Sequence, residues 1–330
     1  MKHSNISIFV PHVGCPHLCA FCDQRTISGE DKAPKADDVR RICTKALSEA
    51  GSPENTEIAF FGGSFTAIKR DYMISLLEAA NEFVGDGKFR GIRISTRPDY
   101  IDDEILSLLR RYNVTAIELG AQSLNDEVLL ANERGHLSED VFYASELIKN
   151  FGIELGLQLM VGLYKSDVQK EYDNIEKVIS IAPDTVRIYP VVILKGTKLG
   201  ALYMSGEYKT MPVQTVINIC ADMLDAFENA GIRVIKCGLH ASEFVERDMV
   251  GGYYHPAFRE LCEGIRFRHL FEKALDDSDI KRAEIKVSPK DLSKALGQKK
   301  CNIDYFKSKG IDIRITPCSD LDEKFRVIRN

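Results

Sequence analysis

Over roughly the first 240 residues, short apolar runs alternate with longer stretches whose apolar positions recur every three or four residues. The runs at 6–10, 56–61, 91–96, 116–119, 153–161, 185–192 and 233–237 predict strands. The stretches at 37–50, 71–84, 102–112, 138–151, 168–181 and 213–230 predict helices, because one face of each is apolar at the helical period. Gly51, Gly152 and Gly231 stand just past three of these helices, where a left-handed turn costs glycine little. Strands alternating with helices at this spacing imply parallel strands joined by right-handed crossovers. Six or more such units in series predict a partial (β/α)6 barrel of TIM type, or an extended form of it. A doubly wound open sheet is the alternative that alternation alone leaves in place.

After about residue 240 the rhythm changes. Residues 256–275 predict one long helix, 282–287 a strand and 311–316 a closing strand. Ser288-Pro289-Lys290-Asp291 predicts a helix start, with Ser as cap, Pro at the first helical position and Asp facing the exposed N–H groups. The chain therefore divides into a barrel core over 1–240 and a small C-terminal α/β domain over 241–330.

Composition narrows the function classes only a little. With 330 residues, 44% of them hydrophobic, the chain can bury a sizeable core. A net charge of −5 gives no bulk electrostatic reason to bind nucleic acid. No stretch approaches the ~20 apolar residues needed to span a bilayer, and the N-terminal segment has no cleavage-site pattern, so the expectation is a cytoplasmic protein with no membrane partner. Nine cysteines, an odd number, in such a chain point to a metal before they point to disulfides.

The decisive segment is Gly14-Cys15-Pro16-His17-Leu18-Cys19-Ala20-Phe21-Cys22, directly after the first predicted strand. Gaps of three and two residues put three thiolates on one loop, at the barrel face where active sites form. A structural zinc site closes with four ligands, and an electron-transfer [4Fe–4S] cluster also uses four cysteines. Here the next cysteine, Cys43, lies in a predicted helix. Three ligands would leave one iron open to a small molecule. The alternative is a zinc site completed by His12, His17 or a distant residue.

This CX3CX2C loop, with an aromatic residue before its last cysteine, resembles the signature of the radical S-adenosylmethionine (SAM) superfamily. The resemblance implies that Cys15, Cys19 and Cys22 hold a [4Fe–4S] cluster. Its open iron is chelated by SAM, and its electron cleaves SAM to a 5′-deoxyadenosyl radical that removes hydrogen from substrate. Phe21 then lies against the adenine. The resemblance also implies a low-potential electron donor, a ferredoxin or flavodoxin.

Further motifs stand at successive predicted strand ends. Gly62-Gly63-Ser64 matches the segment that holds the SAM amino group in the family. Ile94-Ser95-Thr96-Arg97-Pro98-Asp99-Tyr100 resembles the elongator catalytic subunit-like branch, with Ser95 where porphyrinogen-oxidising relatives carry a SAM-contacting Glu. Gly120-Ala121-Gln122-Ser123 resembles a motif shared by both branches, which implies that Gln122 contacts SAM. Arg134, before Gly135-His136, matches an Arg that pairs with the SAM carboxylate, a task that suits its bidentate geometry. Gln158 stands where the resemblance to the porphyrinogen-oxidising branch implies an Asp that contacts the ribose. His240 and His255 are candidate substrate or proton-transfer groups. Cys262, Cys301 and Cys318 lack close pairing and read as buried or inert rather than as an auxiliary cluster. Lys299-Lys300 and the Arg266, Arg268 and His269 face could contact phosphate, against the ordinary reading of a solvated helix face. No acetyltransferase domain follows in this sequence, unlike the full elongator subunit. The substrate therefore stays open among tRNA, a porphyrin-like molecule, a peptide or a small metabolite. An RNA-binding or tRNA-modifying protein and a zinc-stabilised non-redox protein remain the alternatives.

Overall fold

The structure, a computed structural model, describes residues 4–11, 15, 18–23, 26, 32–276 and 280–329. Seven of its strands form one parallel sheet: β1 (Ser4–Val10), β2 (Thr56–Gly62), β3 (Gly91–Thr96), β4 (Val114–Gln122), β5 (Glu154–Val161), β6 (Thr185–Pro190) and β8 (Arg233–Cys237). They lie side by side in chain order, and the sheet stays open between β1 and β8. This is a partial TIM-type barrel with one strand more than six, the extended form of the expected fold. Strands buried on both faces suit this arrangement, and residues 56–60 of β2 are all buried.

Crossover helices cover the outside of the sheet. They are α1 (Ala36–Glu49), α2 (Arg70–Asn81), α3 (Asp103–Arg111), α4 (Asp126–Ala131), α5 (Ser138–Asn150), α6 (Val168–Ile181), α7 (Lys198–Met204) and α8 (Val213–Asn229). Their starts are chemically marked. Asp102 accepts from the Ile105 N–H at 2.8 Å, Asn125 from Val128 at 3.2 Å and Asp167 from Lys170 at 2.9 Å. Gly152 and Gly231 take the expected left-handed turn, whereas α1 ends on an extended Ala50 before Gly51.

The strand expected over 185–192 is two strands. The Val191 N–H still donates to Val161 at 2.9 Å, but the Val191 carbonyl accepts from Tyr253 at 2.8 Å. The chain then leaves the barrel as β7 (Val192–Leu194), antiparallel to β9 (Met249–Gly252). A run of apolar residues reads the same in either sheet, so the exit was invisible to periodicity.

After α9 (Glu243–Asp248) comes α10 (Phe258–Ala274), two residues shorter at its start than expected. Its first half, with Phe258, Cys262 and Ile265, packs on the barrel core. Its second half, with Phe267 and Phe271, belongs to a separate apolar core shared with β10 (Arg282–Val287), α11 (Leu292–Leu296), α12 (Cys301–Ser308), β11 (Asp312–Pro317) and β12 (Phe325–Arg329). β10 is central, parallel to β11 and antiparallel to β12, so the closing strand is β12 and not the one expected at 311–316. Ser288 makes no side-chain cap; Pro289–Asp291 form a short 3-10 turn before α11.

Candidate cluster and cofactor site

Cys15, Cys19 and Cys22 line one cavity of about 90 Å³ at the C-terminal ends of the strands. The same cavity is lined by Phe21, Gly62, Gly63, Ser64, Ser95, Gln122, Arg134 and Gln158, so every residue expected at the cofactor meets there. Thr96, Arg97 and Gly120 join them. His12 and His17, the expected zinc alternatives, lie outside the described residues.

The cysteine loop is tied down on both sides. The Ala20 N–H donates to Asn132 at 3.0 Å and its carbonyl accepts from Leu199 at 2.7 Å, while Cys22 N–H bonds back to Cys19 at 3.0 Å. Gly62 closes the floor. It sits at φ 110°, and a Cβ there would stand 3.0 Å from the Val10 carbonyl oxygen, so only glycine lets β1 and β2 approach this closely. At β4 a register shift between Leu119 and Gln122 breaks the pairing with β5 and leaves Gln122 at φ 65°. Such a bulge re-aims a side chain, and here it turns Gln122 into the cavity.

The donor set fits an iron–sulfur cluster with SAM. Burial first, then the neighbouring Cys19 and Cys15, push the Cys22 thiol up to about 12. Three crowded thiolates therefore need a polycation beside them. Arg134 supplies part of that charge: its Nη1 donates to Cys19 Sγ at 3.1 Å, and its Nη2 to the Gly120 carbonyl. Its Nε is buried without a partner. Among the described residues no three His, Cys, Asp or Glu side chains gather around a single point as one metal ion requires.

The sequence matches the radical SAM superfamily over residues 9–175, just over half of the chain, and the radical SAM C-terminal domain over residues 183–265. The chain belongs to the radical SAM superfamily. It is thus an enzyme of a class whose cofactors are a [4Fe–4S] cluster and SAM, rather than a zinc-stabilised scaffold. Its relatives are of the elongator type. It is 29% identical over 245 residues to a tRNA uridine(34) acetyltransferase of Methanocaldococcus jannaschii, covering 62% of this chain and 45% of the relative. It is 26% identical over 261 residues to elongator complex protein 3 of Bos taurus, covering 72% of this chain and 45% of the relative. The chain spans about half the length of the curated relatives it matches. In fold it is similar to the archaeal Elp3 of Methanocaldococcus infernus, with a TM-score of 0.59 at 18% identity over 82% of this chain and 63% of that one. It is also similar in fold to coproporphyrinogen III oxidase of Escherichia coli, with a TM-score of 0.52 at 17% identity over 70% and 53%.

In this radical SAM enzyme a second, larger cavity of about 360 Å³ adjoins the first and shares Phe21, Cys22, Gly62, Ser95, Gln122 and Gln158 with it. Its walls are Phe9, Phe61, Met160, Tyr189, Val192 and Leu194, and its polar groups include Arg187, Lys236 and His240. Arg187 is neutralised: it holds Glu118 through Nε at 2.6 Å and Nη2 at 2.9 Å, and lies 5.1 Å over the Phe61 ring. Glu118 also accepts from Gln158 at 2.9 Å, and the same Gln158 amide reaches Ser95 at 3.0 Å. Ser64 is turned away towards β3, bonded to Thr96 at 3.0 Å and to the Arg97 N–H at 3.2 Å. Lys236, also on the wall, has no ion pair among the described residues, and burial and Arg187 push its ammonium down.

Sequence reasoning missed the layer beneath. Arg93 on β3 is fully buried and reaches Glu57 at 2.7 Å, Glu154 at 2.7 Å and Glu118 at 3.4 Å. It also missed three core thiols, Cys220, Cys237 and Cys262, all buried and close enough to shift one another's ionisation, so Cys262 does have close company. The signal for the first was a charged residue inside each of several predicted strands.

His136 stands behind Arg134, with Nε2 buried and unpartnered. Burial, then the Arg134 charge, hold its imidazole down at about 4. The unfolded chain therefore binds the proton first, and stability falls as pH drops from about 6.5 towards 4. His136→Asn is expected to flatten that part of the curve. Urea midpoints at pH 7 and pH 5 check it; a difference between the two pH values unchanged by the substitution would sink the assignment.

Proposed function

We propose that Cys15, Cys19 and Cys22 hold the [4Fe–4S] cluster of this radical SAM enzyme, that SAM lies in the smaller cavity, and that its substrate is an RNA nucleoside presented to the larger one. The observation that carries the reading is the meeting of three thiols with a cationic, glycine-floored pocket that opens directly into a second chamber. When bound, cluster and SAM supply reductive cleavage of the sulfonium C–S bond and a 5′-deoxyadenosyl radical that removes hydrogen from substrate. The chain's residues then bind and orient. Gly62 and Gly63 offer open backbone to the SAM amino group, the Arg134 guanidinium supplies the positive charge for the carboxylate, Phe21 faces the adenine, and Gln122, Gln158 and Ser95 border the remaining polar atoms. The apolar walls of the chamber exclude water and leave the substrate as the group held against the reacting carbon.

The tRNA part of the reading rests on the elongator-type relatives, one of which is named for uridine 34 of tRNA. A low-potential ferredoxin or flavodoxin as electron donor, a cytoplasmic site of action and a catalytic core over 1–240 with an appendage over 241–330 complete the proposal. The separate apolar core supports an appendage, but with Phe258, Cys262 and Ile265 packed on the barrel that core starts within α10, at Phe267, and not at residue 241; no helix among the described residues is long and apolar enough to cross a membrane.

The test is anaerobic reconstitution followed by iron, sulfide and 5′-deoxyadenosine analysis with dithionite as reductant. Zinc without iron and sulfide rejects the cluster assignment. Faster 5′-deoxyadenosine release on adding tRNA supports the substrate class, and no acceleration of an iron-loaded enzyme removes it. Arg134→Leu is expected to raise KM for SAM about ten- to a hundredfold, the worth of a hydrogen bond to a charged group. An unchanged KM would exclude Arg134 from the SAM site.

A further inference from the structure

We propose that the C-terminal βααββ unit docks the RNA substrate beside the chamber, gripping its phosphate backbone with the turn Gly297-Gln298-Lys299-Lys300; this rests on the RNA reading above. The turn joins α11 to α12, between the parallel strands β10 and β11. Lys299 stands at φ 53° and Lys300 at φ 63°, both left-handed, a conformation costly for any residue with a Cβ. Two like charges are thus held side by side in an unfavourable backbone, both exposed, and neither has an ion pair among the described residues.

The surroundings enforce this arrangement. Asn302 is fully buried and donates to the Gly264 carbonyl at 2.8 Å and the Ala295 carbonyl at 3.0 Å, while accepting from Arg268 at 3.0 Å. Gly297, at φ 71°, has no room for a side chain, since a Cβ would stand 2.6 Å from Cys301 Sγ. Strain that the neighbours over-determine, with no packing gained by the strained side chains, marks a binding element. KH modules likewise clamp four backbone nucleotides with a tight GXXG turn. Here Lys300 keeps a glycine-type backbone and adds a charge.

Charge distribution supplies the complement. Residues 280–330 hold thirteen Lys and Arg against seven Asp and Glu, a surplus of six, whereas the whole chain is at −5 and the first 279 residues therefore at −11. The whole-chain value hides this asymmetry. Of the other basic side chains on this side, Arg266 is already committed to Asp225 at 2.7 Å, Glu228 at 2.7 Å and Glu263 at 3.2 Å, which removes it as a phosphate ligand. The turn is tied to the segment that leads to the chamber: Gln298 reaches His255 at 3.2 Å, and His255 follows β9, whose partner β7 puts Val192 and Leu194 on the chamber wall.

Fluorescence anisotropy of an end-labelled tRNA transcript, titrated with the full-length cluster-loaded enzyme across a KCl series, tests this. Asparagine tolerates the left-handed backbone, so Lys299→Asn with Lys300→Asn removes charge and keeps the turn. That double variant is expected to bind at least about tenfold more weakly and to lower the slope of log K against log salt by about two, one per phosphate contact. Lys299→Arg with Lys300→Arg should restore both, and Lys45→Asn on α1 should change neither. A double asparagine variant that binds as the wild type overturns the docking surface and leaves the RNA reading standing. An arginine pair that fails to restore binding overturns it too. A wild-type enzyme with no affinity for the transcript at low salt overturns the RNA reading itself, and this surface with it.

Discussion

Cys19→Ala is expected to yield a folded protein with no iron–sulfur chromophore and at least about a hundredfold less 5′-deoxyadenosine release, about 2.7 kcal/mol of barrier. Three ligands hold the cluster in the proposed site, and a site with two has no reserve. Cys19 is buried and its sulfur accepts from Arg134, so its loss also disturbs a cation. Cys15→Ala separates the two effects, because Cys15 is only half-buried and its removal leaves the Arg134 contact in place. Both variants should lose iron together. The measurements are iron and sulfide per chain after anaerobic reconstitution, visible absorbance, and far-UV circular dichroism as the check on folding. Either variant keeping wild-type iron and turnover would remove these cysteines from the metal.

The meeting of the candidate cofactor residues in one cavity was legible because they sit on local motifs at strand ends, and a parallel barrel carries every strand end to the same face. Knowing that Gly62, Ser95, Gln122 and Gln158 each follow an apolar run is enough to predict that they meet. The bulge that turns Gln122 inward was not legible, since it depends on how β4 registers with β5. Nor was the exit of the chain at Val191, which depends on its capture by Tyr253, 62 positions further on. Charged residues inside strands were visible as a violation of the apolar pattern, but which of them pair is a matter of strand order. Arg93 meets partners 36, 25 and 61 positions away, distances over which a sequence pattern has no reach. The basic turn at Lys299 was seen and read as solvated, because strain and neighbouring charge appear only in three dimensions.

Arg93→Met is expected to cost about 3–5 kcal/mol, the usual penalty for leaving a buried charge without its partner. Arg93 stands between Glu57 and Glu118, both of them as fully buried as Arg93 itself. Methionine fills similar space but leaves these carboxylates facing one another in a medium that solvates them poorly. Against a typical stability of about 5–15 kcal/mol, such a loss moves a urea midpoint far. Arg40→Met is the contrast: its pair with Glu82 is half-exposed on both sides, and its loss should move the midpoint little. Equal midpoints for the two variants would show that the buried network contributes no more than a surface pair. The effect should also reach the chamber. Glu118, released from Arg93, is the residue that orients both Gln158 and Arg187. The charge layer is therefore the footing of the cofactor pocket, and KM for SAM should rise in Arg93→Met at urea concentrations where the protein is still folded.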